Sequence, residues 1–196
     1  MKPHQIYQAT DPVLIQEMFT TFRDEEREIY KTAIASLAQS RKLRPVFVQK
    51  KPVAAQIEWA HKTLGLRSSD TIGEHLLQVW FMKFHQPMLV DFCDGMGIEH
   101  NGEGSVEGAL PEEIDPAKLK TTSDALFAKY NPKLVSLYLT VFNLQTPNGW
   151  APLADFLATD PRMHLGTGPA PTSKESAPAE AAPEEPQAEE AAQTTA

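Results

Sequence analysis

Hydrophobic positions recur every three to four residues along most of the first 166 residues, which is the period of an α-helix. The pairs Asp11-Pro12, Asp115-Pro116 and Asn131-Pro132 each place a capping side chain before a proline, an arrangement typical of a helix start. Pro52 opens a further helix, and Gly65 ends it. The pattern predicts an all-α fold, a compact helical bundle of about eight helices.

Two segments are apolar around most of the helix circumference rather than along one stripe. They are residues 70–84 and residues 134–144. A helix that is hydrophobic on nearly every side must be surrounded by protein. We therefore expect both segments to be central core helices, with Pro87 interrupting the first and a shorter helix following it.

Two segments depart from the helical pattern. Residues 94–108 contain five glycines, and Asn101-Gly102 lies between two apolar positions, which predicts a possible small β-hairpin near residues 98–107. Residues 46–48, Val-Phe-Val, follow Pro45 and suggest a short extended piece.

The chain divides into three parts by composition. Residues 1–10 are expected to be an N-terminal arm, and residues 11–166 a single helical domain. Residues 167–196 contain no Val, Ile, Leu, Met, Phe, Tyr or Trp, and are rich in Ala, Pro and Glu. Such a segment has no apolar surface to bury against the entropy cost of ordering. It is predicted to be a disordered acidic tail.

Charge is distributed unevenly along the chain. The net charge of −8 comprises +4 in residues 1–67, −7 in residues 68–166 and −5 in the tail. The N-terminal residues include no apolar leader, and no apolar stretch is long enough to span a bilayer. With a single cysteine, Cys93, no intrachain disulfide can form. These features lead us to expect a cytoplasmic protein with no membrane partner.

Candidate chemistry is sparse. The pair Glu74-His75 is not part of an HExxH zinc motif, and we expect no metal and no cofactor. Acidic neighbours disfavour a thiolate at Cys93, so a buried core cysteine is expected rather than a nucleophile. If the chain is an enzyme, the candidate catalytic residues are Glu74, His75, Asp94 and His100, around helix 70–85 and loop 94–108.

Residues 41–51 form a basic connector that includes one phenylalanine. Its five cations could contact an acidic protein, a phosphate backbone, or the acidic groups of this chain itself, or they could simply be solvated. Tryptophans at the margin of a core either anchor an interface or cover the edge of their own core. The candidate binding residues are Arg41, Lys42, Arg44, Phe47, Lys50, Lys51, Trp59, Glu99 and Trp150.

Together these features favour a non-enzymatic protein-interaction or scaffold domain with a solvated acidic tail and a protein partner. One alternative is a small enzyme or ligand-binding domain with a pocket near helix 70–85 and loop 94–108. A second is a nucleic-acid- or ribosome-associated factor that uses residues 41–51, which the acidic balance of the chain makes the weaker expectation. The sequence leaves the oligomeric state open.

Overall fold

The fold is taken from a computed structural model that describes residues 1–146 and 150–166. Within these residues it contains ten α-helices, two short 3-10 turns and no β-strand, which confirms the all-α prediction. The helices are α1 (Pro3–Ala9), α2 (Pro12–Glu25), α3 (Arg27–Ser40), α4 (Pro45–Gln49), α5 (Val53–Leu64), α6 (Asp70–Phe84), α7 (Gln86–Met96), α8 (Pro116–Lys129), α9 (Pro132–Gln145) and α10 (Ala151–Thr159). The count exceeds eight because α1 and α4 lack a clear apolar stripe in the sequence.

The proline-containing helix starts are formed as the sequence predicts. The proline occupies the first helical position, where no backbone N–H is needed. In each case a side-chain oxygen accepts a hydrogen bond from the backbone N–H two residues later: Asp11 from Val13, Asp115 from Ala117, and Asn131 from Lys133. These caps set the N-terminal ends of α2, α8 and α9.

The core is organised around α6 and α9. Helix α6 contacts α1, α3 and α5, which precede it in the chain, and α7 and α9, which follow it, so it joins the N-terminal and C-terminal parts of the bundle. In α9, every residue from 134 to 142 is buried. The two helices that are apolar on nearly every side are thus the central ones, as their patterns predict.

The first ten residues contain the helix α1, which packs against α5 and α6. Ile6 and Tyr7 of α1 are fully buried. The Tyr7 hydroxyl donates to the carbonyl oxygen of Gly73 in α6 over 2.9 Å. A β-carbon on Gly73 would lie 2.8 Å from the Tyr7 ring, so the absence of a side chain at Gly73 lets α1 approach α6. Helix α1 is thus held on the surface of α6 by these two side chains.

Residues 46–48 are helical, which corrects the expectation of an extended piece. In a strand, Val46 and Val48 would share one face because side chains alternate. In α4, Val48 is only 2% exposed whereas Val46 and Phe47 point to solvent. The five-residue helix packs against α3 through this one buried valine.

The connection between α7 and α8 contains one antiparallel β-bridge, between His100 and Val106, in place of the predicted hairpin. The side chain of Asn101 accepts hydrogen bonds from the backbone N–H groups of Glu103 and Ser105, and this closes the turn without a strand ladder. Helix α7 continues to Met96, so the glycine-rich loop begins at Gly97 rather than at residue 94. The loop is shorter and more tightly folded than the sequence suggests.

None of the helices in residues 1–146 and 150–166 combines the length and the apolar content that crossing a lipid bilayer requires. The acidic tail expected at residues 167–196 lies outside the described residues.

Candidate functional site

The basic surface, as we call it here, consists of the exposed side chains of residues 41–53. This segment follows α3, contains all of α4 and ends at the first residue of α5. It contains no aspartate or glutamate. Its exposed cations are Arg41, Lys42, Arg44, Lys50 and Lys51, and its exposed apolar side chains are Leu43, Val46, Phe47 and Val53. Phe47 is 61% exposed, which is unusual for a side chain of this size.

A buried polar network fixes the turn that carries two of the lysines. Gln56 in α5 is buried, and its side-chain amide donates to the carbonyl oxygens of Gln49 (3.1 Å) and Lys51 (2.8 Å). Its side-chain oxygen accepts a hydrogen bond from the Tyr30 hydroxyl of α3 over 3.0 Å. Because a buried amide costs free energy unless it is hydrogen-bonded, this network holds the turn between α4 and α5 in one position.

The C-terminal end of α3 has a conformation that normally requires glycine. Lys42 has a φ of +56°, in the left-handed region. The N–H of Lys42 bonds to the carbonyl of Gln39, and the N–H of Leu43 bonds to that of Ala38, each over 2.8 Å. This is a Schellman cap, in which glycine is the usual residue at the left-handed position. The chain therefore carries a cation at a position where glycine would be more stable.

The five cations of the basic surface form no ion pair with any side chain in residues 1–146 and 150–166. Elsewhere, most lysines and arginines are paired: Arg23, Lys31, Lys62, Lys83, Lys120, Lys129, Lys133 and Arg162 each contact a carboxylate. At the edge of the surface, the pKa of Glu58 lies below its usual range, mainly because Lys62 hydrogen-bonds to it, with a smaller attraction from Lys51. The basic surface is thus a region of uncompensated positive charge.

The two candidate tryptophans do not belong to this surface as exposed anchors. Trp150 is only 5% exposed, its ring packs against Phe142, and its indole N–H donates to the carbonyl of Pro111. Trp59 is half-buried against the core. Both rings therefore mainly cover parts of their own core. Glu99 is exposed in the loop between α7 and α8.

The four candidate catalytic residues lie in two separate places. His75 lines a groove of about 490 Å³ between α3 and α6, a groove with mostly apolar walls. Glu74, its neighbour in α6, is half-buried. His100 contacts the Asp94 carboxylate over 3.1 Å at the end of α7. Of these four residues only His75 lines one of the described cavities, so none of these cavities brings the four together.

Cys93 is fully buried in α7, and burial, with a further contribution from Asp94, raises the pKa of its thiol to about 11. At neutral pH such a group is a thiol rather than a nucleophilic thiolate. Within residues 1–146 and 150–166, no group of three or more His, Cys, Asp or Glu side chains is positioned to hold a metal ion.

The sequence identifies the cations and Phe47 but does not identify the apolar side chains around them. Val46 is exposed beside Phe47 because α4 buries only Val48. Leu43 lies just after the C-terminal cap of α3, and Val53 is the first residue of α5. Comparison of the chain with protein-family models, with curated proteins and with solved structures found no match.

Proposed function

We propose that this chain is a non-enzymatic interaction domain that binds an acidic protein segment at the basic surface. The observation that supports the proposal is the combination of five unpaired cations with an exposed aromatic side chain on a rigidly held turn. Positive charge attracts and orients an acidic partner. Phe47 and its apolar neighbours supply the buried contact that such attraction alone does not give. We also infer a cytoplasmic location, with which the single buried cysteine is compatible.

The alternative of an enzyme receives less support from the geometry. Its candidate residues are divided between a groove on α3 and α6 and the end of α7. A nucleic acid remains a competitor for the basic surface because phosphates also attract lysine and arginine. An acidic protein accounts better for the surface because three of the four apolar side chains among the cations are aliphatic, and only Phe47 offers a ring on which a base can stack.

The test uses the full chain and a fluorescent synthetic peptide of alternating glutamates and leucines, with a second peptide in which glutamine replaces every glutamate. Fluorescence anisotropy at about 50 mM and about 300 mM salt measures binding, because screening weakens exposed charge pairs. We expect the acidic peptide to bind and the glutamine peptide to bind at least about tenfold more weakly. Phe47→Ala should weaken binding about fivefold or more, the loss expected when an aromatic anchor is truncated.

A charge-reversal variant and a matched control locate the binding site. Lys50→Glu with Lys51→Glu should abolish the salt-dependent part of binding. Arg27→Glu with Lys118→Glu is the matched control, because it changes the net charge by the same amount outside the basic surface. Arg27 and Lys118 lie in the first turns of α3 and α8, where a negative charge is favourable for the helix. Equal losses in both variants would refute the basic surface as the site. Tighter, Lys50-dependent binding of a single-stranded RNA oligonucleotide would replace the protein partner with a nucleic acid.

A further inference from the structure

A short series of contacts links the end of the described chain to the basic surface. The carbonyl oxygen of Leu165 accepts a hydrogen bond from the backbone N–H of Asp11 over 3.0 Å, which fixes this end beside the start of α2. The next residue of α2, Pro12, lines a small surface cleft together with Ala54 of α5. Ala54 is three residues from Lys51. The end of the described chain at Gly166 is therefore connected to Lys51 through a short series of contacts and chain neighbours.

The separations along this route are short compared with the length of chain that follows. Helices in contact lie about 8–10 Å apart, and three residues span at most about 11 Å. The distance from Leu165 to Lys51 is therefore on the order of 25 Å. Glu184 follows Gly166 by 18 residues, a length that reaches about 60 Å when extended. The acidic residues from Glu184 onward can therefore reach the cations of their own chain.

Charge makes residues 184–190 the matching segment. They read Glu-Glu-Pro-Gln-Ala-Glu-Glu, with four carboxylates in seven residues and no cation. The basic surface has five cations and no carboxylate. The segment also contains a proline, whose ring can pack on an aromatic side chain such as Phe47, but it has no large apolar residue to bury there.

We propose that residues 184–190 bind the basic surface within the same chain and compete there with the acidic partner. This proposal depends on the proposed function only for the identity of the partner with which the tail competes. A tether of this length gives the tail an effective concentration in the millimolar range. Since charge pairs on a surface are individually weak, the tail lowers the affinity for a partner without closing the site.

The test compares the full chain with a variant in which Glu184, Glu185, Glu189 and Glu190 are each changed to Gln. Backbone amide NMR shifts report whether the tail contacts residues 41–53. We expect these shifts to differ between the two proteins at about 50 mM salt and to converge at about 500 mM. The acidic peptide should bind the variant about two- to fivefold more tightly. Adding Lys50→Glu with Lys51→Glu should remove that difference, whereas adding Arg27→Glu with Lys118→Glu should keep it.

The possible results separate this proposal from the proposed function. If the peptide binds both proteins equally and the amide shifts of residues 41–53 coincide, the tail proposal is wrong and the interaction site stands. If the shifts differ but the peptide binds neither protein, the tail contact stands and the proposed partner is wrong. Shift differences that grow with protein concentration would assign the contact to the tail of a second copy, and differences confined to other residues would also overturn the proposal.

Discussion

His85, at the junction of α6 and α7, should make the stability of this protein depend on pH. Its ring is half-buried and lies edge-on to Trp80, with ring centroids 4.8 Å apart, and next to Phe81. Its Nε2 atom is buried with no hydrogen-bond partner. Burial in these surroundings lowers the pKa of His85 from 6.5 to about 4, because the charged imidazolium would lose its hydration.

The direction of the effect follows from the two pKa values. Between pH 4 and pH 6.5 the unfolded chain binds a proton at His85 that the folded chain does not bind. Lowering the pH through this range therefore favours unfolding. Since one pKa unit corresponds to about 1.4 kcal/mol, the full effect is about 3 kcal/mol. About 2 kcal/mol of it is already lost between pH 7.5 and pH 5. Aspartates with lowered pKa values, such as Asp11, act only below their usual pKa of 3.8.

Urea unfolding of the full chain at pH 7.5 and pH 5 measures this difference. His85→Phe keeps an aromatic ring but removes the titrating group. In this variant the loss of unfolding free energy between pH 7.5 and pH 5 should fall from about 2 kcal/mol to about 0.5 kcal/mol or less. His75→Gln is the control because His75 is exposed in α6. The stability of this variant should change between the two pH values as much as that of the unsubstituted chain. If His85→Phe lost as much stability as the unsubstituted chain on acidification, burial of His85 would not be the cause.

Two further predictions concern backbone positions. Gly104 and Gly102 both have positive φ, but a β-carbon on Gly104 would lie 2.3 Å from the Leu89 side chain and 2.9 Å from the α7 backbone, whereas Gly102 faces open space. In urea unfolding, Gly104→Ala should therefore lower the free energy of unfolding by about 3 kcal/mol, and Gly102→Ala by about 1 kcal/mol. Equal losses of unfolding free energy in the two variants would contradict the close approach of the loop to α7. Lys42→Gly should stabilise the fold by about 1 kcal/mol, because Lys42 has a positive φ, and should weaken binding of the acidic peptide about twofold. Arg41→Gly is the control, because Arg41 has a φ of −96°: it should weaken peptide binding without any gain in stability.

Helices with strong local signals could be predicted from the sequence. The capping pairs before Pro12, Pro116 and Pro132 act over two residues, so they need no tertiary information. The burial of α6 and α9 follows from apolar residues on every side. Helix α1 was missed because it has only two buried side chains. Its packing depends on Gly73, which is distant in sequence. A glycine inside an apolar helix is a signal for close approach that the sequence analysis did not use.

The candidate site divides in the same way. By itself, the sequence determined that residues 41–51 carry five cations around Phe47, since charge and composition are properties of a segment alone. Only the tertiary structure decided which side chains are available for binding. It buried Trp150 through its contacts with Phe142 and Pro111, and it held the turn at Lys51 through Gln56. It also placed His75 in the groove between α3 and α6, and His100 beside Asp94 at the end of α7. Exposure and proximity depend on how distant segments pack, and a local pattern carries no information about that packing.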